Sequence, residues 1–295
     1  MKLQQTVAAE TVISGKALHC GAAVEMRILP QPENTGIIFR RSDLQGKPQI
    51  KAHISAIVDT RKSTTIGKDG WKISTIEHLM AVFHGLNIDN ALVEVDGEEL
   101  PSGDCSGLYF SEEILKNGIA IQDAPRNYVM IKEPVWVEGN VNKQGEPSKA
   151  MLIALPGETE GIEISFTFTS DHKVTGTQHF HFSSAGNNFI NDIAPARTIA
   201  FMREIEYLQS QGLALGGDIN SVVIVGDEAY QNELRFPEEI VRHKILDILG
   251  DLYLLGPLSG HIIAIRSGHS LNWELAKKIH DKIKVKQGDY HDGCE

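Results

Sequence analysis

The sequence predicts an α+β protein of two similar domains, 1–126 and 127–295, each with a β-sheet and two helices. Three observations carry this. Each half opens with short apolar runs punctuated by turn residues and continues into helix-period stripes. Both halves follow one order: strands, a helix carrying a histidine, an apolar strand, another helix. A chain of 295 residues with 41% hydrophobic residues also has the length and apolar material for two cores.

In the first half, 11–13, 23–29 and 36–39 read as strands, separated by Pro30, Pro32 and Asn34. A helix is expected over 75–84, where Ile76, Leu79, Met80 and Phe83 build one apolar stripe and Gly85 suits its end. A buried strand follows at 91–95 and a helix at 108–116. The boundary falls at 125–127. In the second half, strands are expected at 128–131, 135–137, 151–155 and 162–169, then a helix at 202–211. A strand at 221–225, a long helix at 238–254, a strand at 261–265 and a helix at 271–283 complete the pattern.

The formal net charge of −11 argues against a nucleic-acid partner, which calls for a basic surface. Cys20, Cys105 and Cys294 form no C-x-x-C pair, which argues against a cysteine-rich zinc site and a disulfide framework. No apolar run approaches membrane-spanning length, and residues 1–10 lack the apolar core of a secretory leader. A cytoplasmic monomer is expected.

The helix at 238–254 carries the chemistry. His243, Asp247 and Asp251 recur every four residues, off the stripe of Ile245, Ile248, Leu249 and Leu252. Residues four apart on a helix are neighbours, so imidazole and carboxylate can grip one cation, and a catalytic zinc takes three protein ligands. A solvated polar face is the plainer reading of H-x-x-x-D. His78, on the matching helix of the first half, is the candidate third ligand. Glu77 beside it suits a general base. Ser74-Thr75-Ile76-Glu77 also fits a capping box, and spacing does not separate the two roles. His269 follows a strand, and Asp251 could orient its imidazole. Gln178-His179-Phe180-His181-Phe182 offers a rival H-x-H site, or simply a half-buried strand with its histidines outward. Residues 212–218 are glycine-rich but match no phosphate-binding loop.

Five segments in order make the pattern specific: Ser74-Thr75-Ile76-Glu77-His78-Leu79, Ala196-Arg197-Thr198, the run from Glu206 to Leu213, Arg242-His243-Lys244 with Asp247 and Gly250-Asp251, and Ser267-Gly268-His269. Together they resemble the UDP-3-O-acyl-N-acetylglucosamine deacetylases of lipid A biosynthesis, over essentially the whole chain. The resemblance implies helices sandwiched between two outer sheets, with a small insert in each domain. It implies a Zn2+ cofactor held by His78, His243 and Asp247, with an acylated UDP-N-acetylglucosamine as substrate. Glu77 would then be the general base, Thr198 an oxyanion donor, and His269, oriented by Asp251, a charged partner, with Lys244 in the same pocket. An insert near 198–217 would form the acyl passage, walled by Ile199, Phe201, Leu213, Ala214 and Leu215. Glu204, Phe166 or Phe168, and Arg266 would meet the nucleotide. Two departures stand out. Ile199 replaces a usual phenylalanine, which bears on chain length. Cys105 replaces a glycine, so the turn at 103–106 is expected to differ.

Overall fold

The computed structural model describes residues 2–143, 146–157, 160–186, 188–210, 215–216 and 221–288. The first half comprises β1 (Leu3–Val7), β2 (Thr11–Lys16), β3 (Ala23–Pro30), β4 (Ile37–Arg41), β5 (Gln49–Lys51), β6 (Ile57–Asp59), β7 (Thr65–Lys68), β8 (Trp71–Ile73), α1 (Glu77–Gly85), β9 (Ala91–Val95), α2 (Leu108–Asn117) and β10 (Ile119–Pro125). The second comprises β11 (Val129–Met130), β12 (Val135–Lys143), β13 (Glu146–Leu155), β14 (Ile162–Thr169), β15 (Thr177–Ser183), β16 (Ile199–Phe201), α3 (Met202–Ser210), β17 (Val223–Val225), α4 (Glu239–Tyr253), β18 (Leu258–Ile265) and α5 (His269–Gly288).

The repeat read from the sequence is a repeat of topology. The two large sheets run β2-β3-β9-β4-β5 and β12-β13-β18-β14-β15. In each, the last strand in sequence lies between the second and third. It pairs parallel with the third, β4 with β9 and β14 with β18, while the other neighbours in these orders are antiparallel; the second sheet also carries β11, a short strand paired parallel with β18.

Alternation fixes which sheet face turns inward. Along β14, Ile162, Ile164, Phe166 and Phe168 are buried. They meet α4, which packs against β14 and β15, while α5 packs against β12 and β13. On the other side α2 packs against β2, and α1 lies along α4 as the main helix–helix contact. Helices α1, α2, α4 and α5 therefore sit between the sheets, and one apolar cluster joins Phe39, Phe83, Phe166 and Leu249.

Two smaller units matter to the site. β6, β7 and β8 form an antiparallel sheet placed between β5 and α1. β16 and β17 pair parallel on either side of α3 in the chain, so the described part of the segment expected at 198–217 falls in a β-α-β arrangement with β17 (Val223–Val225). Leu213 and Ala214 lie outside the described residues, as does part of the Glu206–Leu213 motif.

The strands at 91–95 and 162–169 occur as expected, and α1, α2 and α4 start and end within two residues of their expected bounds. The strand expected at 128–131 contracts to Val129–Met130, and α5 begins at His269 rather than 271. The sequence reading did not anticipate β1, β5, β6, β7, β8 or β10. The turn at Cys105 corrects a further expectation. Cys105 adopts φ 57°, the left-handed region that glycine takes freely, and is fully buried there. Packing of the side chain beside Leu18 and Val222 accompanies a backbone that disfavours it.

Candidate functional site

The sandwich brings three helices to one place: the first turn of α1, the middle of α4 and the start of α5. His78 comes from α1, His243 and Asp247 from α4, and all three are buried. One ligand atom from each lies within 4.8 Å of the others. Asp247 Oδ1 is 3.4 Å from His243 Nε2 and 3.8 Å from His78 Nε2. His243 Nδ1–H donates to the Ala196 carbonyl at 3.0 Å, which leaves the Nε2 lone pair facing the cluster.

Electrostatics suit a cation. Burial, reinforced by His243, pushes the His78 imidazole down to about 3, and burial also lowers His243. Both are thus neutral and able to ligate. Burial alone would raise the Asp247 carboxyl, but Lys244 and His243 outweigh it and hold it well below the usual carboxylate range. Lys244 Nζ donates to Asp247 Oδ2 at 2.8 Å. Among the described residues, Oδ1 is buried with no hydrogen-bond partner. An ionised, unpartnered buried oxygen beside two neutral imidazoles is costly unless a cation completes it. The donor set, two imidazoles and one carboxylate, fits a divalent zinc or iron ion.

Glu77 is 3% exposed, and burial pushes its carboxyl up to about 7, partly offset by His269. Its Oε2 accepts the Thr64 backbone N–H at 2.9 Å, not a capping bond from Ser74. The N-cap of α1 is Ile76, without a side-chain cap, and Ser74 bonds the Glu98 carbonyl instead. The capping-box reading of Glu77 therefore gives way. Asp251 lies one turn beyond Asp247. Its Oδ2 accepts from His269 Nδ1 at 2.9 Å and from Asn272 Nδ2 at 2.8 Å, and its Oδ1 accepts from Thr64 Oγ1. Burial opposes a charge on His269, but Asp251 and Asp247 prevail and raise it to about 10.

Backbone strain gathers at the same place. Thr75 takes φ 59° just before α1, and Arg266 takes φ 57° just before Ser267-Gly268-His269. A β-branched residue in that region is a genuine outlier, held only where the surroundings over-determine it. Glu99 does so for Thr75. This buried carboxylate accepts Thr75 Oγ1 at 3.0 Å and the backbone N–H groups of His19 at 2.8 Å and Cys20 at 2.9 Å.

The structure thus gathers Glu77, His78, His243, Lys244, Asp247, Asp251 and His269. Thr198 lies two residues beyond Ala196, its backbone held between the Cys105 carbonyl and the Val223 N–H at 2.9 and 2.8 Å. Arg197 beside it clamps Glu239 at the start of α4, with Nε–Oε1 2.8 Å and Nη2–Oε2 3.1 Å. Phe166 is fully buried and offers no face to a ligand, whereas Glu204 is exposed on α3. Arg266 Nε bonds Thr169 Oγ1. His179 and His181 bond Thr167 and Ser165 respectively. Thr64, Glu99, Glu239 and Asn272 escaped the sequence reading. Their partners lie far along the chain, 187 residues for Thr64 with Asp251, and no spacing announces them.

A family model described as UDP-3-O-acyl N-acetylglycosamine deacetylase matches residues 4–281. The chain belongs to this family. Proteins named UDP-3-O-acyl-N-acetylglucosamine deacetylase are similar to it along nearly their whole length. That of Citrifermentans bemidjiense is 41% identical, covering 95% of this chain and 89% of its own. That of Acidithiobacillus ferrooxidans is 42% identical, covering 90% and 86%. That of Myxococcus xanthus is 37% identical, covering 94% and 86%. No helix among the described residues of this family member is long and apolar enough to cross a membrane.

Proposed function

We propose that this protein hydrolyses the 2-acetamido group of UDP-3-O-(3-hydroxyacyl)-N-acetylglucosamine to acetate and the free amine, a step of lipid A biosynthesis, with Zn2+ as cofactor. The observation that carries the reading is the unpartnered Asp247 Oδ1 facing two neutral imidazoles, with Glu77 and His269 beside it. His78, His243 and Asp247 would hold the zinc, which supplies Lewis-acid polarisation and eases deprotonation of water.

The protein groups divide the proton work. Glu77 is anchored through Oε2 by Thr64, and its carboxylate takes a proton from the attacking water. The water oxygen adds to the acetamide carbon, and Thr198 donates to the developing oxyanion. The C–N bond then breaks, and the amine leaves with a proton from His269 Nε2. Asp251 holds the opposite nitrogen of that ring and keeps the imidazolium charged and aimed. Lys244 fixes the Asp247 carboxylate and places a positive charge at the rim of the pocket. Ile199 and Phe201 on β16, half-buried against the core, are assigned to the acyl passage.

The test is acetate release from the acylated UDP-sugar. Activity is expected to vanish on chelation and return with one equivalent of zinc. A folded, zinc-loaded wild type without turnover would refute the reading.

A further inference from the structure

The H-x-H motif of β15 is not used by this chemistry, and the fold gives its second histidine a different partner. Side chains on β14, β15 and β18 alternate between two faces. The inner set, Ile162, Ile164, Phe166, Phe182 and Ile262, is buried toward α4. The outer set places His181 of β15 directly across from Ser165 of β14, and His261 of β18 across from Glu163 of β14. Ser165 Oγ lies 3.0 Å from His181 Nδ1 and 2.9 Å from His261 Nε2. The two rings stand edge to face, 89° apart with centroids 5.9 Å apart. Two imidazole nitrogens therefore converge on Ser165 Oγ at the outer face of the sheet.

We propose that His181 Nδ1 and His261 Nε2 form a second, accessory site for a divalent first-row transition ion such as zinc. Imidazole is the ligand these ions share, and two on neighbouring strands offer a rigid bite. The serine hydroxyl has one proton and can donate to only one ring, so the other ring must turn an N–H toward it. Binding requires both nitrogens as lone pairs. That ring moves its proton to its other nitrogen, and the hydroxyl becomes a neutral third donor, with no net proton released. Glu163, two residues from Ser165 on the same face, supplies compensating negative charge or a further ligand. Water completes the shell, because His181 is exposed and Glu163, Ser165 and His261 are half-buried. His179 Nδ1 lies 3.0 Å from Thr167 Oγ1 further along the strand, and among the described residues no second imidazole meets that hydroxyl, so His179 is not a ligand. The sheet and its buried inner face separate this site from the cluster on α4.

Zinc stoichiometry by equilibrium dialysis of the full chain tests the proposal. Two ions per wild-type chain are expected, one in His261→Asn and in His181→Asn, and two in His179→Asn. A His243→Ala chain should keep one ion, and the His243→Ala/His261→Asn double variant none. Because the two sites are deleted separately, failure of the proposed catalytic metal and failure of this site give different counts. Circular dichroism confirms that each variant folds. A second ion that survives His261→Asn, or one lost in His179→Asn instead, would overturn the assignment. So would a wild type holding a single ion that His243→Ala removes.

Discussion

The matching helices of the two halves, α1 and α4, occupy equivalent places in sheets of identical strand order, yet equivalent positions on them do different work. His78 and His243 both face the cluster. The residue before each diverges: Glu77 points into the site, whereas Arg242 turns away, with its guanidinium over Phe180 at 3.8 Å and Phe236 at 4.4 Å. The residue after each diverges as well. Leu79 is wholly buried in the core, whereas Lys244 grips Asp247. The repeat conserves what packing needs, a helix between two sheets. The proposed chemistry is asymmetric because one centre can use only one base, one carboxylate ligand and one acid.

The sharpest test of this comparison exchanges the roles. Glu77→Gln should lower kcat/KM by about 10²–10⁴-fold, the usual worth of a positioned general base, while zinc binding persists. Arg242→Ala should leave kcat near wild type and cost about 1–2 kcal/mol in urea unfolding, the value of a desolvated cation–π contact. A catalytic collapse in Arg242→Ala with stability intact would break the assignment.

His269→Gln is the next largest change, with an expected loss of about 10²-fold in kcat. Its pH signature is more telling. Asp251 keeps His269 protonated up to about 10, so the acid function proposed for it is expected at neutral pH and should be lost as pH rises through that value. A bound dication nearby can only lower the limb. The wild-type profile should therefore fall on the alkaline side at or below pH 10, and His269→Gln should lack that limb. The same shift contributes to folding stability below the unfolded imidazole value and fades as pH rises through the folded one, which urea melts across that range would show.

Glu99→Ala should act more mildly on both halves of the ledger. It strands two backbone N–H groups and the Thr75 hydroxyl, for about 1–3 kcal/mol in thermal or urea unfolding. It also frees the left-handed Thr75 backbone that precedes Glu77. Turnover should fall about tenfold, with KM little changed. An effect on stability alone would make Glu99 purely structural.

Much of this asymmetry was legible in the sequence. The four-residue spacing of His243, Asp247 and Asp251 follows from helix geometry, and the buried strands of β9 and β14 are continuous or cleanly alternating apolar runs. The short strands β6, β7 and β8 were not legible, because Thr65, Lys68 and Lys72 interrupt any period. They matter, because the bend before β7 delivers Thr64 to both Glu77 and Asp251. Buried anchors such as Glu99 and Glu239 look like surface acids in a sequence, since what buries them is chain distant from them. The cross-strand partner of His181 was hidden for the same reason: the H-x-H spacing pointed to His179, while the sheet register brings up His261.

The most direct measurement is acetate release from UDP-3-O-acyl-N-acetylglucosamine by Glu77→Gln protein carrying zinc at the His78–His243–Asp247 cluster, beside wild type in the same metal state. The account predicts equal zinc content at that cluster with turnover reduced by at least about a hundredfold. Near wild-type turnover in the zinc-loaded variant would contradict Glu77 as the base and, with it, the division of labour between the two halves.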